Sequence, residues 1–189
     1  MNKEKQRSNL EIHFEWYLAE LVAAGYVTEW MSQLPGWMLF VKAEYVYTKQ
    51  LKTKRKEIKA VIPGLSKMEY TPDFRIVWTP EAKGIFWQNF YSGRKLKSPF
   101  FIENEFILEA YVEIKPGFDQ HNMTRTVQPK IRWVWEKFGS YVQIITPEKL
   151  FEQTFTPARY LFCDKIATRK RKIKYPVRTL RDYLKEEIP

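Results

Sequence analysis

The chain has one cysteine and two histidines among its 189 residues. Cys163 has no second thiol to pair with, so an internal disulfide is excluded. Neither His13 nor His121 stands near it in sequence, which speaks against a Cys/His zinc site. Following Leu161 and Phe162, Cys163 reads as a small hydrophobe. Long apolar runs are missing too: nothing approaches the roughly 20 residues a membrane span needs. Met1 to Arg7 is polar and lacks the apolar segment of a secretory signal. These absences predict a protein with no membrane segment that stays inside the cell. There is no internal repeat, and no low-complexity stretch beyond a few basic runs.

Negative charge is also in short supply. Twenty-two Asp and Glu face 32 Lys and Arg, a formal net charge of +10 and a pI near 9.5. That balance points to an anionic partner, nucleic acid first. An anionic membrane surface is the rival, but the basic runs are not laid out as amphipathic helices. What the chain does have is apolar and aromatic matter, 44% and 16% of residues, with seven Trp. This excludes general disorder and suits one globular domain over 1–189.

Ser8-Asn9-Leu10-Glu11 has the form of a capping box. Apolar residues follow at Leu10, Phe14, Tyr17, Leu18 and Leu21, and Gly25 is the stop, which predicts a helix. Glu15 lies on the border of its apolar stripe, where it can face a site or simply solvent. After the Pro35-Gly36 turn, 37–47 reads as a strand. The run Lys49, Lys52, Lys54, Arg55, Lys56 and Lys59 is exposed, either as a solvated hairpin face or as a backbone contact for nucleic acid.

Alternation along Met68 to Trp78 puts Tyr70, Phe74, Ile76 and Trp78 on one face and Asp73 on the other. An acid inside so apolar a strand needs a partner or a metal. Pro72 denies the ladder a donor, predicting an edge strand or a bulged start. Residues 79–104 read as an inserted hairpin with a basic turn over 92–99. In the strand 106–115, Phe106, Leu108, Ala110, Val112 and Ile114 face the core, and Glu113 and Lys115 share the opposite face. Ile131, Val134, Trp135 and Phe138 form a helical stripe beginning near Pro129 and stopping at Gly139, with Lys130, Trp133 and Lys137 on its flank. Tyr141 to Thr146 is a short buried strand, so strand, crossover helix and strand predict a parallel pair. Beyond it come a short helix near 148–151, the basic run Arg169, Lys170, Arg171, Lys172, and a last helix over 179–187.

The order is helix with Glu15, strand with Pro72-Asp73, strand with Glu113-Ile114-Lys115, helix with Gln128 and Lys130, and closing strand. In this the chain resembles the PD-(D/E)XK nuclease superfamily, and among its members the small phage-encoded endonucleases and resolvases. The resemblance covers about 8–146 and implies an α/β fold with a restriction-endonuclease-like core: a central mixed β-sheet flanked by helices, with the inserted hairpin at about 79–104 and a basic C-terminal extension over about 147–189. It implies a Mg²⁺-dependent DNA endonuclease, with Mn²⁺ as a substitute ion, processing phage or prophage DNA. Asp73, Glu113, the Ile114 backbone carbonyl and Glu15 would hold the metal, and Lys115 would position or help deprotonate the attacking water. Gln128 and Lys130 would touch phosphates, and Trp133 could stack on a base or pack on a strand. Lys137, the cluster Lys52, Lys54, Arg55, Lys56 and the run Arg169 to Lys172 would steer the DNA, duplex or branched. A homodimer, or association with a larger nucleoprotein complex, would suit such an enzyme.

Three other readings stay open. Glu113 and Lys115 can be a mere same-face ion pair. The fold can be an inactive nuclease relative that binds nucleic acid or joins an assembly. The chain can be a basic protein that binds RNA or another protein.

Overall fold

The computed structural model describes residues 8–90, 98–102, 106–117, 123–164, 166 and 168–187, and the side chains of all of these but Met123 and Thr124. Helix α1 (Asn9–Ala23) begins where the capping box placed it: the Ser8 hydroxyl accepts from the Glu11 amide at 3.2 Å. It ends before Gly25, whose φ of +80° suits a residue without Cβ. Strands β1 (Val27–Ser32) and β2 (Trp37–Phe40) follow, then β3 (Glu44–Gln50), β4 (Arg55–Val61), β5 (Met68–Tyr70) and β6 (Phe74–Trp78). The 37–47 segment is therefore two strands rather than one. β2 pairs antiparallel with β5, and β3 with β4, so residues 41–43 separate two successive ribbons. After β7 (Trp87–Asn89) and β8 (Phe100–Ile102) comes β9 (Glu109–Ile114). Helix α2 (Gln128–Phe138) then carries the chain across to β10 (Val142–Ile145), and α3 (Pro147–Gln153) and α4 (Leu180–Glu187) complete it.

A central mixed sheet in the order β1-β6-β9-β10 is flanked by helices. β6 runs antiparallel to both β1 and β9, and β9 and β10 are parallel, as the crossover predicts. β6 lies between β1 and β9, so Phe74–Trp78 is not an edge strand, whereas the alternative of an irregular entry fits the break at 71–73 between β5 and β6. Pro72 instead sits just ahead of β6, where no ladder donor is required.

One face of the sheet holds Phe74, Ile76, Trp78, Ala110, Val112 and Ile114 against Phe14, Tyr17, Leu18 and Leu21 of α1. The other holds Tyr111 and Val142, which join Leu39, Tyr70 and Val134 in a second, smaller core under α2. α2 starts at Gln128 with Pro129 in its first turn, is preceded by a π turn over Met123–Val127, and stops at Gly139, in the left-handed region at φ 62°. Among the described residues no helix is long and apolar enough to cross a membrane.

Three further expectations need correction. β7 and β8 pair in parallel, so 79–104 is not a hairpin; residues 92–97 of its basic turn lie outside the described residues. Far from being peripheral, this segment buries Phe86, Trp87, Phe100 and Ile102 in the main core. Phe106 is 97% exposed rather than core, because β9 begins only at Glu109. Finally, Leu150, Phe151, Phe155, Tyr160 and Tyr183 belong to the main core, so 147–189 closes the fold rather than extending it. Tyr17 stacks on both Phe151 and Phe155, with centroids 5.7 and 4.5 Å away. Apolar residues spread thinly among basic ones leave no periodic signal by which such packing could be read in sequence.

Candidate functional site

The chain changes sheets at Thr71 and Pro72, passing from the β2–β5 ribbon to the centre of the main sheet. Pro72 has no N–H and ends the first pairing. Gly36, on the neighbouring turn, makes the change of direction possible, since a Cβ there would lie 2.9 Å from the Thr71 hydroxyl. Gly36→Ala should displace the Thr71 side chain and cost on the order of 1 kcal/mol of stability, read as a lowered urea midpoint.

Asp73, the next residue, forms a bend just ahead of β6, and its amide donates at 3.0 Å to the carbonyl of Val112, the residue paired with Phe74. Its carboxylate accepts from the Ile114 amide at 2.8 Å. Asp73 thus bonds the residue between Glu113 and Lys115. In an extended strand a residue's N–H and C=O point to the same edge, so the Ile114 carbonyl is turned toward Asp73 as well.

Glu113 is buried, 6% exposed, on the α2 side of the sheet. Its two carboxylate oxygens accept from Lys115 Nζ at 2.7 Å and from the Tyr70 hydroxyl at 2.8 Å. The same-face ion pair therefore forms, but out of bulk water, where its charges are far less screened than at a surface. Burial first, and then the adjacent Glu113 carboxylate, push the Tyr70 phenol above its ordinary range, so it remains a donor. Tyr70 did not stand out as a site residue in the sequence. The available signal was its place three positions before Asp73 on the buried face of β5, where a hydroxyl needs a partner.

Glu15 lies on α1, half-buried, and no group of three His, Cys, Asp or Glu able to hold a metal occurs among the described residues. Glu15 is thus not gathered with Asp73 and Glu113. The remaining donors are two carboxylates and the Ile114 carbonyl. In chemical type such donors suit Mg²⁺, which takes hard oxygen ligands and keeps several waters.

Of the residues expected on DNA, Gln128 and Trp133 are exposed and Lys130 is half-buried on α2. Lys52, Lys54, Arg55 and Lys56 are exposed at the end of the β3–β4 ribbon, and Arg169, Lys170 and Lys172 are exposed near the C-terminus. Two others already have structural duties. Lys137 donates to the Leu39 carbonyl, fastening α2 to β2. Arg171 bonds Asp164 at 2.6 Å and the Tyr160 carbonyl at 3.0 Å, and lies over the Tyr160 ring.

Two polar networks went unread because their members are far apart in sequence. Arg75 on β6 links Glu29 on β1 to Glu109 on β9, and its hydrogen bond to Glu109 holds that carboxyl below the usual carboxylate range. His13, buried on α1, bonds Asp164 at 2.9 Å beside Arg171, pinning the C-terminal segment to α1. Burial lowers the His13 pKa despite the opposing Asp164. The unfolded chain then binds a proton that the folded chain resists, so stability is full above the ordinary histidine pKa of about 6.5 and falls as the pH drops through it. Thermal melts from about pH 8 to about pH 5 should show this loss, and His13→Gln should flatten it.

No protein-family model, no curated protein and no solved structure matches the chain.

Proposed function

We propose that the protein is a Mg²⁺-dependent DNA endonuclease of the PD-(D/E)XK type, acting in phage or prophage DNA processing. The observation that carries this reading is the bond from the Ile114 amide to the Asp73 carboxylate, which sets the acid of the Pro72-Asp73 pair against the Glu113-Ile114-Lys115 strand. Asp73 and Ile114 lie 41 positions apart in the chain and are brought together by the pairing of β6 with β9. The element order is in keeping with it: helix, antiparallel strands bearing the acids, crossover helix, parallel strand.

Asp73, Glu113 and the Ile114 carbonyl would hold the ion. When bound, Mg²⁺ supplies neutralising charge at the phosphate and makes an attacking water more acidic. Tyr70 and Lys115 fix the Glu113 carboxylate from two sides, so its orientation is set before substrate arrives. Lys115 brings a positive charge to the same face, suited to a phosphate that gains negative charge during hydrolysis. The net charge of +10 favours approach of DNA.

The test is an activity screen over linear, nicked, flapped and four-way DNA with Mg²⁺ and Mn²⁺. Metal-dependent cleavage, abolished by chelation, is expected. Failure to cut any of them while still binding DNA would favour the second reading, an inactive nuclease-fold binding or assembly protein. The feature on its side is that Asp73 and Glu113 have no third acidic side chain gathered with them among the described residues.

A further inference from the structure

Between β2 and β5 the chain runs out as the β3–β4 ribbon and returns. Backbone bonds from Ala43 N to Leu65 O (3.0 Å) and from Ile62 N to Ala43 O (2.9 Å) fasten its root. All of β3 is exposed, and in β4 only Ile58 and Ala60 are half-buried. Seven extended residues reach about 20 Å.

A two-stranded ribbon with so little to bury is marginal in water. Its register adds a further cost by setting Lys49 directly opposite Lys56. Like charges in opposed positions destabilise an antiparallel pair, and among the described residues neither lysine forms an ion pair. From Lys49 to Lys59 there are six cations and one acid, Glu57. Glu57 pairs with Thr48, which places it on the other face from the two lysines. An anion seated between Lys49 and Lys56 would relieve the repulsion.

The same face carries Tyr45 and Tyr47, because alternate residues share a side. Their rings lie 5.9 Å apart and are 46% and 42% exposed. Two open aromatic rings in line with a lysine pair combine flat surfaces for bases with charges for phosphates. A duplex hides its base faces in the stack, so it would use the lysines and leave the rings idle; an unpaired strand would use both.

We infer that the Tyr45, Tyr47, Lys49, Lys56 face of the ribbon binds an unpaired strand of DNA. The chain leaves the root of the ribbon through β5, which ends at Tyr70, whose hydroxyl holds Glu113, so a strand continuing past β5 would lead toward Asp73 and Glu113. The substrate class is then DNA with a single-stranded segment, such as a flap or fork. This deepens the endonuclease reading and rests on it for the chemistry, not for the binding.

The test measures fluorescence anisotropy of the full chain carrying Asp73→Asn, so that the DNA is not consumed. The probes are a labelled single strand of about 20 nucleotides, the blunt duplex of that sequence, and the duplex with a single-stranded flap. Adding Tyr45→Ala and Tyr47→Ala together should weaken binding of the strand and the flap by roughly 10-fold or more and of the blunt duplex by less than about 2-fold. Lys49→Glu turns the repulsive pair into an attractive one. It should therefore leave thermal stability equal or higher while weakening strand binding and reducing the slope of log K against log salt by about 0.7; a merely structural lysine would not move that slope. Unchanged affinity in the tyrosine variant, equal loss on the blunt duplex, or tighter binding of RNA of the same sequence would each overturn the inference. Cleavage of the same probes by the unaltered chain separates the two claims. Ribbon-dependent binding without cleavage supports the ribbon and counts against the endonuclease, whereas cleavage and binding indifferent to the ribbon variants overturn the ribbon alone.

Discussion

Asp73→Asn should abolish metal-dependent cleavage, with a rate loss on the order of 10³-fold or more, equivalent to about 4 kcal/mol of barrier, while DNA binding is retained. The substitution keeps the shape of the side chain and leaves an amide oxygen able to accept from the Ile114 amide, so the β6–β9 register stays in place. What it removes is one of the two negative charges available to a divalent ion. Titration calorimetry with Mn²⁺ should show the matching loss of metal affinity. Lys115→Ala should also stop cleavage, but it is a less clean probe. Glu113 is buried, and removing its ion-pair partner leaves only Tyr70 to stabilise the charge, so part of any loss would come from a weakened fold. Cleavage of plasmid, fork and junction DNA by Asp73→Asn at the unaltered rate would rule out the proposed role.

Phe74→Ala should cost about 3–5 kcal/mol, a large part of the roughly 5–15 kcal/mol that holds a domain of this kind together. Phe74 is fully buried, its ring 5.1 Å from Phe14 on α1 and 5.8 Å from Trp30 on β1. It joins helix and sheet at the residue next to Asp73. Urea unfolding with the slope unchanged and the midpoint lowered would measure the cost. Because this cavity would open under the backbone of the residue next to Asp73, on the α1 face of the sheet, cleavage should fall at temperatures where the variant is still folded. A loss below about 1 kcal/mol would mean that the site does not depend on this packing.

How much could be read beforehand varied with how local the cause was. α1 was legible from end to end, because the Ser8 cap, the apolar spacing and Gly25 act within a few residues of one another. The Pro129 start and Gly139 stop of α2 were legible for the same reason. The parallel pairing of β9 and β10 followed from the helix between them. The 79–104 segment was misread because a hairpin and a parallel pair present the same local pattern of short aromatic strands, and only the partner's direction distinguishes them. Phe106 was placed in the core by alternation alone, which cannot say where a strand begins.

For the site, alternation was enough to put Glu113 and Lys115 on one face and to set Asp73 apart from its apolar neighbours. Those are properties of backbone geometry and belong to the sequence. That Asp73 bonds the strand between Glu113 and Lys115, that Tyr70 completes the hold on Glu113, that Glu15 does not form a group of three with Asp73 and Glu113, and that Arg171 and Lys137 are tied into the fold were decided only by tertiary structure. The physical reason is that spacing along a strand fixes which way a side chain faces, whereas what it meets there depends on register between segments far apart in the chain.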